Sequence, residues 1–403
     1  MDAKQIWQSL LDKLFLPETN LFYDYVTSND PAVRFAHLPD PEEVRENFPN
    51  PCGWGTGMED CMLNTGSALD VLWKLFPDPD FTGKVVAGIA GCCEVHGRPG
   101  FLARGITPVG EPCCYMNTSR DQLTLAVYGL WRVIHSHSGV SGKLRREVVR
   151  LLELIALDCR RRAVPENGFN LCRLDGRPGL VCNMWNCLDH EALRLPMIYL
   201  AAFEASGRGQ YLDWAKEYLP EALEQTLSTA QQASWWHLPT VQMQLSILLI
   251  REGGCVPEFH GQLERALDQV AQFAFDQFLP ALEDAEAFRG DWYAPNENWR
   301  TLPMKLQYGT ISPDGRHGLY EGKAYLNPVY PESYAVPKEL LHRLGSYLTA
   351  ILAPGRLVLP EEWERRLFAF LERVDLTRCC SDGPLKLLHA LCFLNPESKG
   401  GSI

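Results

Sequence analysis

The sequence has no apolar run long enough to cross a membrane, no run of basic residues longer than three and no low-complexity tract. A membrane span needs about 18 consecutive apolar residues, and the first 16 residues form an amphipathic pattern with Asp2, Asp12 and Lys13 rather than a secretory signal. A net charge of -12 argues against a nucleic-acid partner. No Ser/Gly-rich linker divides the 403 residues, so we expect one domain over 1–403 and no membrane partner.

The sequence also lacks the glycine loops that bind nucleotides and the G-x-S-x-G turn of serine hydrolases. Several of its 14 cysteines lie in adjacent pairs, such as Cys92 and Cys93, which is typical of reduced apolar side chains in a cytoplasmic protein. Cys182 and Cys187 lie near a run of Asp, His and Glu at 189–191. Because consecutive helix positions cannot all point to one centre, we expect no metal and no cofactor.

Twelve helix-forming stretches make up most of the chain. They cover residues 4–16, 58–76, 82–97, 119–138, 143–163, 186–206, 210–229, 237–252, 258–282, 333–353, 360–374 and 384–394. Most connections that lead into an even-numbered stretch are long, and loops of such length are usually functional. A ring of helical hairpins would gather these loops on one face. We therefore expect an all-α, (α/α)6 toroid with its site at the N-termini of the inner helices.

The distribution of charge along the stretches agrees with this arrangement. Stretch 143–163 has a charged face and an apolar face, which indicates an outer helix. Stretches 119–138 and 186–206 are apolar on nearly all sides, and such helices are buried. The even-numbered helices are therefore the predicted inner ones.

The candidate catalytic acids lie in the first turns of two of these predicted inner helices. The segment GWGTGMEDC at 53–61 contains Glu59 and Asp60, and Asp121 begins the stretch at 119–138 next to Arg120. Acids in a first turn also complement the helix dipole, so a purely structural role stays open. An unpaired charge at the start of an apolar, buried helix would be costly, which favours a functional role for Asp121.

Aromatic, amide and arginine side chains are concentrated in the long loops and at the helix starts. Flat apolar faces and planar hydrogen-bonding groups are what sugar recognition requires. The candidate substrate-binding residues are Trp54, Arg104, Tyr115, Arg120, Trp185, His190, Trp235, Trp236, His237, Trp292, Trp299, Arg300 and Tyr334. A rigid lid or a plug packed by its own aromatic residues would use the same side chains and is an open alternative.

At GWGTGMED and RGITP…SRDQ, and in its helix layout, the chain resembles the six-hairpin glycosidases. The resemblance is to the unsaturated uronyl hydrolases of glycoside hydrolase families 88 and 105 and the β-glucuronidases of family 154. It implies hydrolysis of short oligosaccharides that contain uronic acid. In the uronyl hydrolases, aspartates protonate the double bond of an unsaturated uronate and activate water. By motif position Asp60 and Asp121 match this pair, with Asp121 as the better acid/base candidate and Glu59 as an alternative first partner.

A uronate carboxylate would need a cationic anchor, and arginine suits it because a guanidinium binds a carboxylate through two parallel hydrogen bonds. The arginines on the predicted active face are Arg104, Arg120, Arg173 and Arg300.

Two other enzyme classes with the same architecture stay open at this point. Enzymes similar to N-acylglucosamine 2-epimerase use histidines of the inner helices, here His190 and His237. Polysaccharide lyases abstract a proton with Tyr, His or Arg, and Tyr115 or Tyr334 would serve. A non-catalytic scaffold would lack a deep central pocket. The expected partner is a small oligosaccharide, and a homo-oligomer is left open.

Overall fold

The computed structural model describes residues 2–135, 140–185, 191–228, 236–307 and 325–394. Its helices are α1 (Ala3–Leu14), α2 (Pro41–Arg45), α3 (Cys61–Leu75), α4 (Pro79–Glu94), α5 (Arg120–His135), α6 (Gly142–Arg162), α7 (Arg194–Ser206), α8 (Gly209–Ser228), α9 (His237–Glu252), α10 (His260–Ala287), α11 (Glu332–Leu352), α12 (Glu361–Arg373) and α13 (Gly383–Leu391). Two short antiparallel pairs join β1 (Phe15–Leu16) to β2 (Leu21–Phe22) and β3 (Met304–Gln307) to β4 (Tyr325–Pro328). The predicted all-α class is confirmed.

Six of the described helices form a closed ring. Around the ring α3 contacts α5, and α7, α9, α11 and α13 follow in turn, with α13 packing back against α3. Outside it α4 packs on α3 and α6, α6 on α5 and α7, and α8 on α7 and α10. Helix α10 contacts α9, α11 and α12, and α1 packs on α13. The predicted toroid of alternating inner and outer helices is confirmed.

The inner helices all begin at the same end of the ring, which we call the mouth. Near that end, Asp121 of α5 pairs with Arg194 of α7. At the far end, Arg132 of α5 pairs with Asp70 of α3 and Glu252 of α9. Because every inner helix runs in the same direction, side chains at their first turns converge although they are far apart in the chain.

Burial separates the two sets of helices as the charge pattern predicts. In α5 and α9 nearly every residue is buried. In the outer helix α12, by contrast, only Leu367, Phe370 and Leu371 are buried. A helix surrounded by neighbours must be apolar on all sides, whereas an outer helix buries a single stripe.

Helix α3 approaches α5 closely because both helices carry glycine at the contact. A Cβ atom on Gly66 would lie 2.3 Å from the backbone oxygen of Leu125, and one on Gly129 would lie 2.4 Å from the backbone oxygen of Gly66. No other residue fits at such a separation. The two glycines therefore set the spacing of the helices that carry Asp60 and Asp121.

The structure differs from the sequence-based boundaries at several helix ends. Helix α7 begins at Arg194 rather than 186, after a turn at Glu191–Leu193, and residues 186–190 lie outside the described part of the chain. Helix α4 begins at Pro79 because Asp78 accepts the amides of Asp80 and Phe81, a capping pattern that the apolar spacing alone does not reveal. Helix α2 lies inside a segment predicted to be loop.

Within the described ranges, no helix combines the length and the apolar character needed to cross a bilayer.

Candidate active site

Asp60 immediately precedes α3 but does not cap it. Its side chain makes no hydrogen bond to the first turn of the helix. Two amides of that turn are satisfied by other segments, since Met62 N donates to the backbone oxygen of Arg104 at 2.9 Å and Leu63 N donates to Gln122 Oε1 at 2.8 Å. The carboxyl group of Asp60 is therefore not used as a cap. It instead accepts a hydrogen bond from Gln122 Nε2 at 2.9 Å and is partly exposed.

Glu59 is the buried neighbour of Asp60. Its Oε2 accepts the amide of Gly55 at 2.6 Å, and its Oε1 accepts the hydroxyl of Tyr330 at 2.7 Å. Burial raises the pKa of Glu59 and the negative charge of Asp60 adds to this rise, while Lys338 acts in the opposite direction. Both oxygens of Glu59 are thus occupied in joining the glycine loop to the segment after β4.

The glycine loop that contains Trp54 adopts a backbone conformation that requires glycine. Gly53 and Gly55 have φ values of 68° and 86°, and a Cβ at Gly55 would lie 2.6 Å from the Pro328 ring. Trp54, between them, is partly exposed, and the Arg104 guanidinium lies 5.9 Å from its ring centroid. The loop therefore presents one aromatic ring beside one cation at the mouth.

A third carboxyl group, Asp24, lies behind Asp60 and was not identified from the sequence. It is completely buried, and its two oxygens accept the amide of Asp60 at 3.2 and 3.1 Å. Its Oδ1 also accepts Asn64 Nδ2 at 3.1 Å. Burial raises the pKa of Asp24 well above its usual range, and the charges of Glu59 and Asp60 add to the effect.

Asp24, Glu59 and Asp60 form an acid cluster. A second group of charged residues, from α11, α13 and the residue before α13, adjoins it and was also not identified from the sequence. Asp382 lies 2.8 Å from His342 Nε2, 3.6 Å from Lys338 Nζ and 3.5 Å from Lys386 Nζ. Burial alone would raise the pKa of Asp382, but His342 and the two lysines together hold it well below its usual range. A detectable signal was present: Lys386 is a lone charge in an apolar helix, a position where an unpaired lysine is rare.

Asp121 lies at the start of α5 in a set of two cations and two anions. Arg194 Nη1 donates to Asp121 Oδ1 at 2.6 Å, and Arg194 Nη2 lies 3.6 Å from Glu191 Oε1. Arg120 Nη2 lies 2.6 Å from Glu191 Oε2. Asp121 is the most exposed of the four side chains, at 22%. It is therefore the member of the set that a ligand in the mouth would meet.

The structure brings Asp60 and Asp121 to adjacent helix starts. Gln122 follows Asp121 in α5 and hydrogen-bonds both the carboxyl group of Asp60 and the backbone oxygen of Glu59. Asp60 and Asp121 are partly exposed, whereas Glu59 and Gln122 are buried. Asp60 and Asp121 thus lie at the starts of neighbouring inner helices, and the buried side-chain amide of Gln122 joins the start of α5 to Asp60.

The four candidate arginines differ in their partners. Arg120 pairs with Glu191, Arg173 with Asp175 and Arg300 with Glu43. The fourth, Arg104, is only 4% exposed; its Nη1 donates to the backbone oxygen of Glu59 at 3.0 Å and its Nε has no hydrogen-bond partner. In the part of the chain that the structure describes, no carboxylate forms an ion pair with Arg104.

Most of the predicted aromatic residues are packed inside the protein. Tyr115 donates to the backbone oxygen of Phe48 at 2.7 Å, and Trp299, which is fully buried, donates to that of His37 at 2.7 Å. Ring contacts hold the others, as with Trp185 on Tyr218, Trp292 on Phe288 and Phe370, and Tyr334 on Tyr25 and Tyr330. Trp236 at the start of α9 is 51% exposed. His190 and Trp235 lie outside the described residues.

His237, the histidine that an epimerase mechanism would use, is buried in the first turn of α9. Its Nδ1 lies 3.5 Å from Glu339 Oε1. Burial, followed by the positive field of His342, lowers the pKa of His237 to about 3. The imidazole is therefore neutral over the whole physiological range.

The axis of the ring is narrow beneath the mouth. A cavity of about 10 Å³ lies between α3, α5, α9, α11 and α13, and its lining includes Lys386 and His389. Such a volume holds about one water molecule, so this part of the axis has no room for a ligand of the size of a sugar. Among the residues described, no group of three or more His, Cys, Asp or Glu side chains is arranged to hold a metal ion.

Comparison with known proteins gives little further guidance. No protein-family model matches the chain, and no curated protein matches it significantly. Among solved structures, one match is the crystal structure of a sugar epimerase from a ruminal bacterium, with a TM-score of 0.45 and 14% sequence identity over 89% of this chain and 100% of that chain. This similarity is too low to transfer any property from that protein.

Proposed function

We propose that the protein is a glycoside hydrolase acting on short oligosaccharides that contain uronic acid. The observation that supports this best is Arg104, a buried guanidinium whose Nε has no partner and which no described carboxylate neutralises. A buried cation without a counterion is costly, and a ligand carboxylate would supply the missing charge through paired hydrogen bonds. The ring of Trp54 beside Arg104 suits the apolar face of the same sugar.

Asp60 and Asp121 are the carboxyl pair that we propose for the chemistry. Glu59 is a weaker candidate because both of its oxygens are occupied by Gly55 and Tyr330. Asp60 belongs to a cluster in which burial and like charge raise the pKa of Asp24 and of Glu59. Asp60 is the partly exposed member of this cluster and is therefore the one that a substrate could contact. The cluster would therefore supply the general acid.

Asp121 would act as the base, because its ion pair with Arg194 suits a carboxylate. On a 4,5-unsaturated uronate, the acid would protonate C4 of the double bond, while Asp121 would remove a proton from the water whose oxygen bonds to C5. The resulting hemiketal opens and releases the attached sugar. On a saturated glucuronide, the same pair would protonate the leaving oxygen and activate water at the anomeric carbon. One pair of carboxyl groups thus serves either substrate.

The first experiment offers the purified protein a 4,5-unsaturated uronyl disaccharide and a β-glucuronide. We expect loss of the unsaturated-uronate absorbance with the first substrate or release of glucuronate from the second. A rise in that absorbance on a uronate polymer would instead indicate a lyase. Appearance of a C2 epimer from a reducing disaccharide, with no bond cleaved, would replace the proposal with an epimerase.

Variants then test the assignment of the acids. We expect Asp60→Asn to lower kcat by about two to four orders of magnitude, the typical contribution of a general acid. The matched control is Asp30→Asn, an exposed residue whose carboxyl group only accepts a local backbone amide. Full activity in a folded Asp60→Asn protein would remove Asp60 from the mechanism.

A further inference from the structure

We infer that Asp24 is a positioning residue for Asp60. It fixes the backbone of Asp60 from behind through the Asp60 amide, so that the Asp60 carboxyl group keeps its position at the start of α3. The inference rests on the proposed function insofar as Asp60 takes part in catalysis. Asp24 itself is completely buried, so it acts through Asp60 rather than on a substrate.

The side chain of Asp24 is the acceptor in each of its hydrogen bonds. Asp60 N and Asn64 Nδ2 both donate to its carboxyl oxygens. The orientation of the Asn64 amide is fixed independently, because its Oδ1 accepts Lys386 Nζ at 2.7 Å and only its NH2 group can face Asp24. The carboxyl group of Asp24 is therefore held in one orientation by donors from two segments.

The backbone of Asp24 is held as firmly as its side chain. Its amide donates to the backbone oxygen of Gly57 at 3.2 Å, and its own backbone oxygen accepts the amide of Asp382 at 3.2 Å. Residue 24 therefore connects the glycine loop, the start of α3 and the start of α13. This placement explains why a residue far from α3 in the chain can direct the residue that precedes it.

Charges face Asp24 from three sides. Burial raises its pKa most, Glu59 and Asp60 from the loop before α3 raise it further, and Asp382 before α13 adds to the rise. Lys338 of α11 acts against them. Lys386 of α13 reaches Asp24 only through Asn64. Asp24 is therefore enclosed by the acid cluster, and it acts on Asp60 through the hydrogen bond to the Asp60 amide.

Asparagine at position 24 separates this role from simple packing. In Asp24→Asn the side chain keeps its shape and its oxygen still accepts Asn64 Nδ2, but the new NH2 group takes the place of Oδ2, 3.1 Å from Asp60 N, and sets donor against donor. We expect Asp24→Asn to lower kcat by about 100-fold, as small misplacements of catalytic groups do, with KM within about twofold.

The control is Asp30→Asn, which changes an exposed aspartate of the same N-terminal segment and should leave both kcat and KM unchanged. A folded Asp24→Asn protein with wild-type kcat, or one in which KM rises as much as kcat falls, would overturn the inference. If that variant fails to fold, Asn64→Leu removes one donor from Asp24 and should lower kcat in the same direction. An unchanged kcat in Asn64→Leu would also overturn it.

Failure of the proposed function would look different. Wild-type protein that cleaves neither uronate substrate would reject the hydrolase proposal without reference to Asp24. Hydrogen exchange at the Asp60 amide then tests whether Asp24 holds the backbone of Asp60. We expect that amide to exchange slowly in the wild type and at least about tenfold faster in Asp24→Ala. Equal exchange in the two proteins would show that Asp24 does not hold Asp60.

Discussion

Arg194 donates a hydrogen bond to the carboxylate of Asp121 across the contact between α5 and α7, at 2.6 Å. The side chain of Arg194 is 1% exposed and that of Asp121 is 22% exposed. A guanidinium so deeply buried requires a negative partner. Asp121 therefore has a structural role, the neutralisation of Arg194, in addition to the catalytic role proposed for it.

This double role predicts that Asp121→Asn lowers stability as well as turnover. Among the described residues, loss of this carboxylate leaves Arg194 paired only with the more distant Glu191, and we expect the unfolding free energy to fall by about 1–3 kcal/mol. The double variant Asp121→Asn with Arg194→Met should recover part of that stability and none of the activity. Urea unfolding and kcat, measured on the same preparations, check both statements. Asp121→Asn with wild-type stability would show that Arg194 does not depend on Asp121.

Substitution of Arg104 should weaken the binding of acidic sugars specifically. We expect Arg104→Gln to raise KM about 10- to 100-fold for a β-glucuronide, because a charge-assisted bidentate contact is lost. Activity on the corresponding neutral glucoside, however low, should not fall. Arg45→Gln, which breaks an exposed ion pair with Glu111, is the matched control. Equal losses on the acidic and neutral substrates would exclude Arg104 as the carboxylate anchor.

The ring of helices could be predicted because its determinants are local. Apolar spacing and the alternation of short and long connections repeat along the chain, and they indicate inner and outer helices without any knowledge of contacts. Helix starts that depend on a capping residue, such as Asp78 before α4, are harder to predict because a single side chain determines them. Helix α7 begins eight residues after the predicted start at 186, because a turn at Glu191–Leu193 precedes it.

The candidate site was only partly predictable because much of it depends on contacts between distant segments. Glu59, Asp60 and Asp121 could be predicted because they lie next to the starts of inner helices, which the sequence pattern indicates. Asp24 lies in a short apolar segment that the sequence shows as loop, and only the folded chain places it behind Asp60. Arg104 could be proposed with three other arginines, but its lack of an ion-pair partner among the described residues appears only in three dimensions.

The glycine contact between α3 and α5 predicts opposite effects of the same substitution at two helical glycines. Gly66→Ala should destabilise the protein by at least about 1–3 kcal/mol, because the new Cβ would lie 2.3 Å from the backbone oxygen of Leu125. Gly83→Ala in α4 should stabilise it by about 0.5–1 kcal/mol, because a Cβ there meets nothing within 4 Å. Thermal or urea unfolding measures both. Equal effects at the two positions would contradict the close approach of α3 and α5.

The buried His237 predicts a contribution to the pH dependence of stability. Burial lowers its pKa from 6.5 to about 3 in the folded protein, whereas the unfolded chain binds the proton near its ordinary pKa. Between these values the unfolded state holds more protons, so this contribution to stability is complete above about pH 6.5 and declines as the pH falls. From pH 6.5 to pH 5 the decline is about 2 kcal/mol.

His237→Gln cannot take up the proton, and its unfolding free energy should therefore fall less over that interval. His260→Gln, at an exposed histidine, should follow the wild type. Parallel curves for wild type and His237→Gln in urea titrations at several pH values would mean that His237 is protonated in the folded protein.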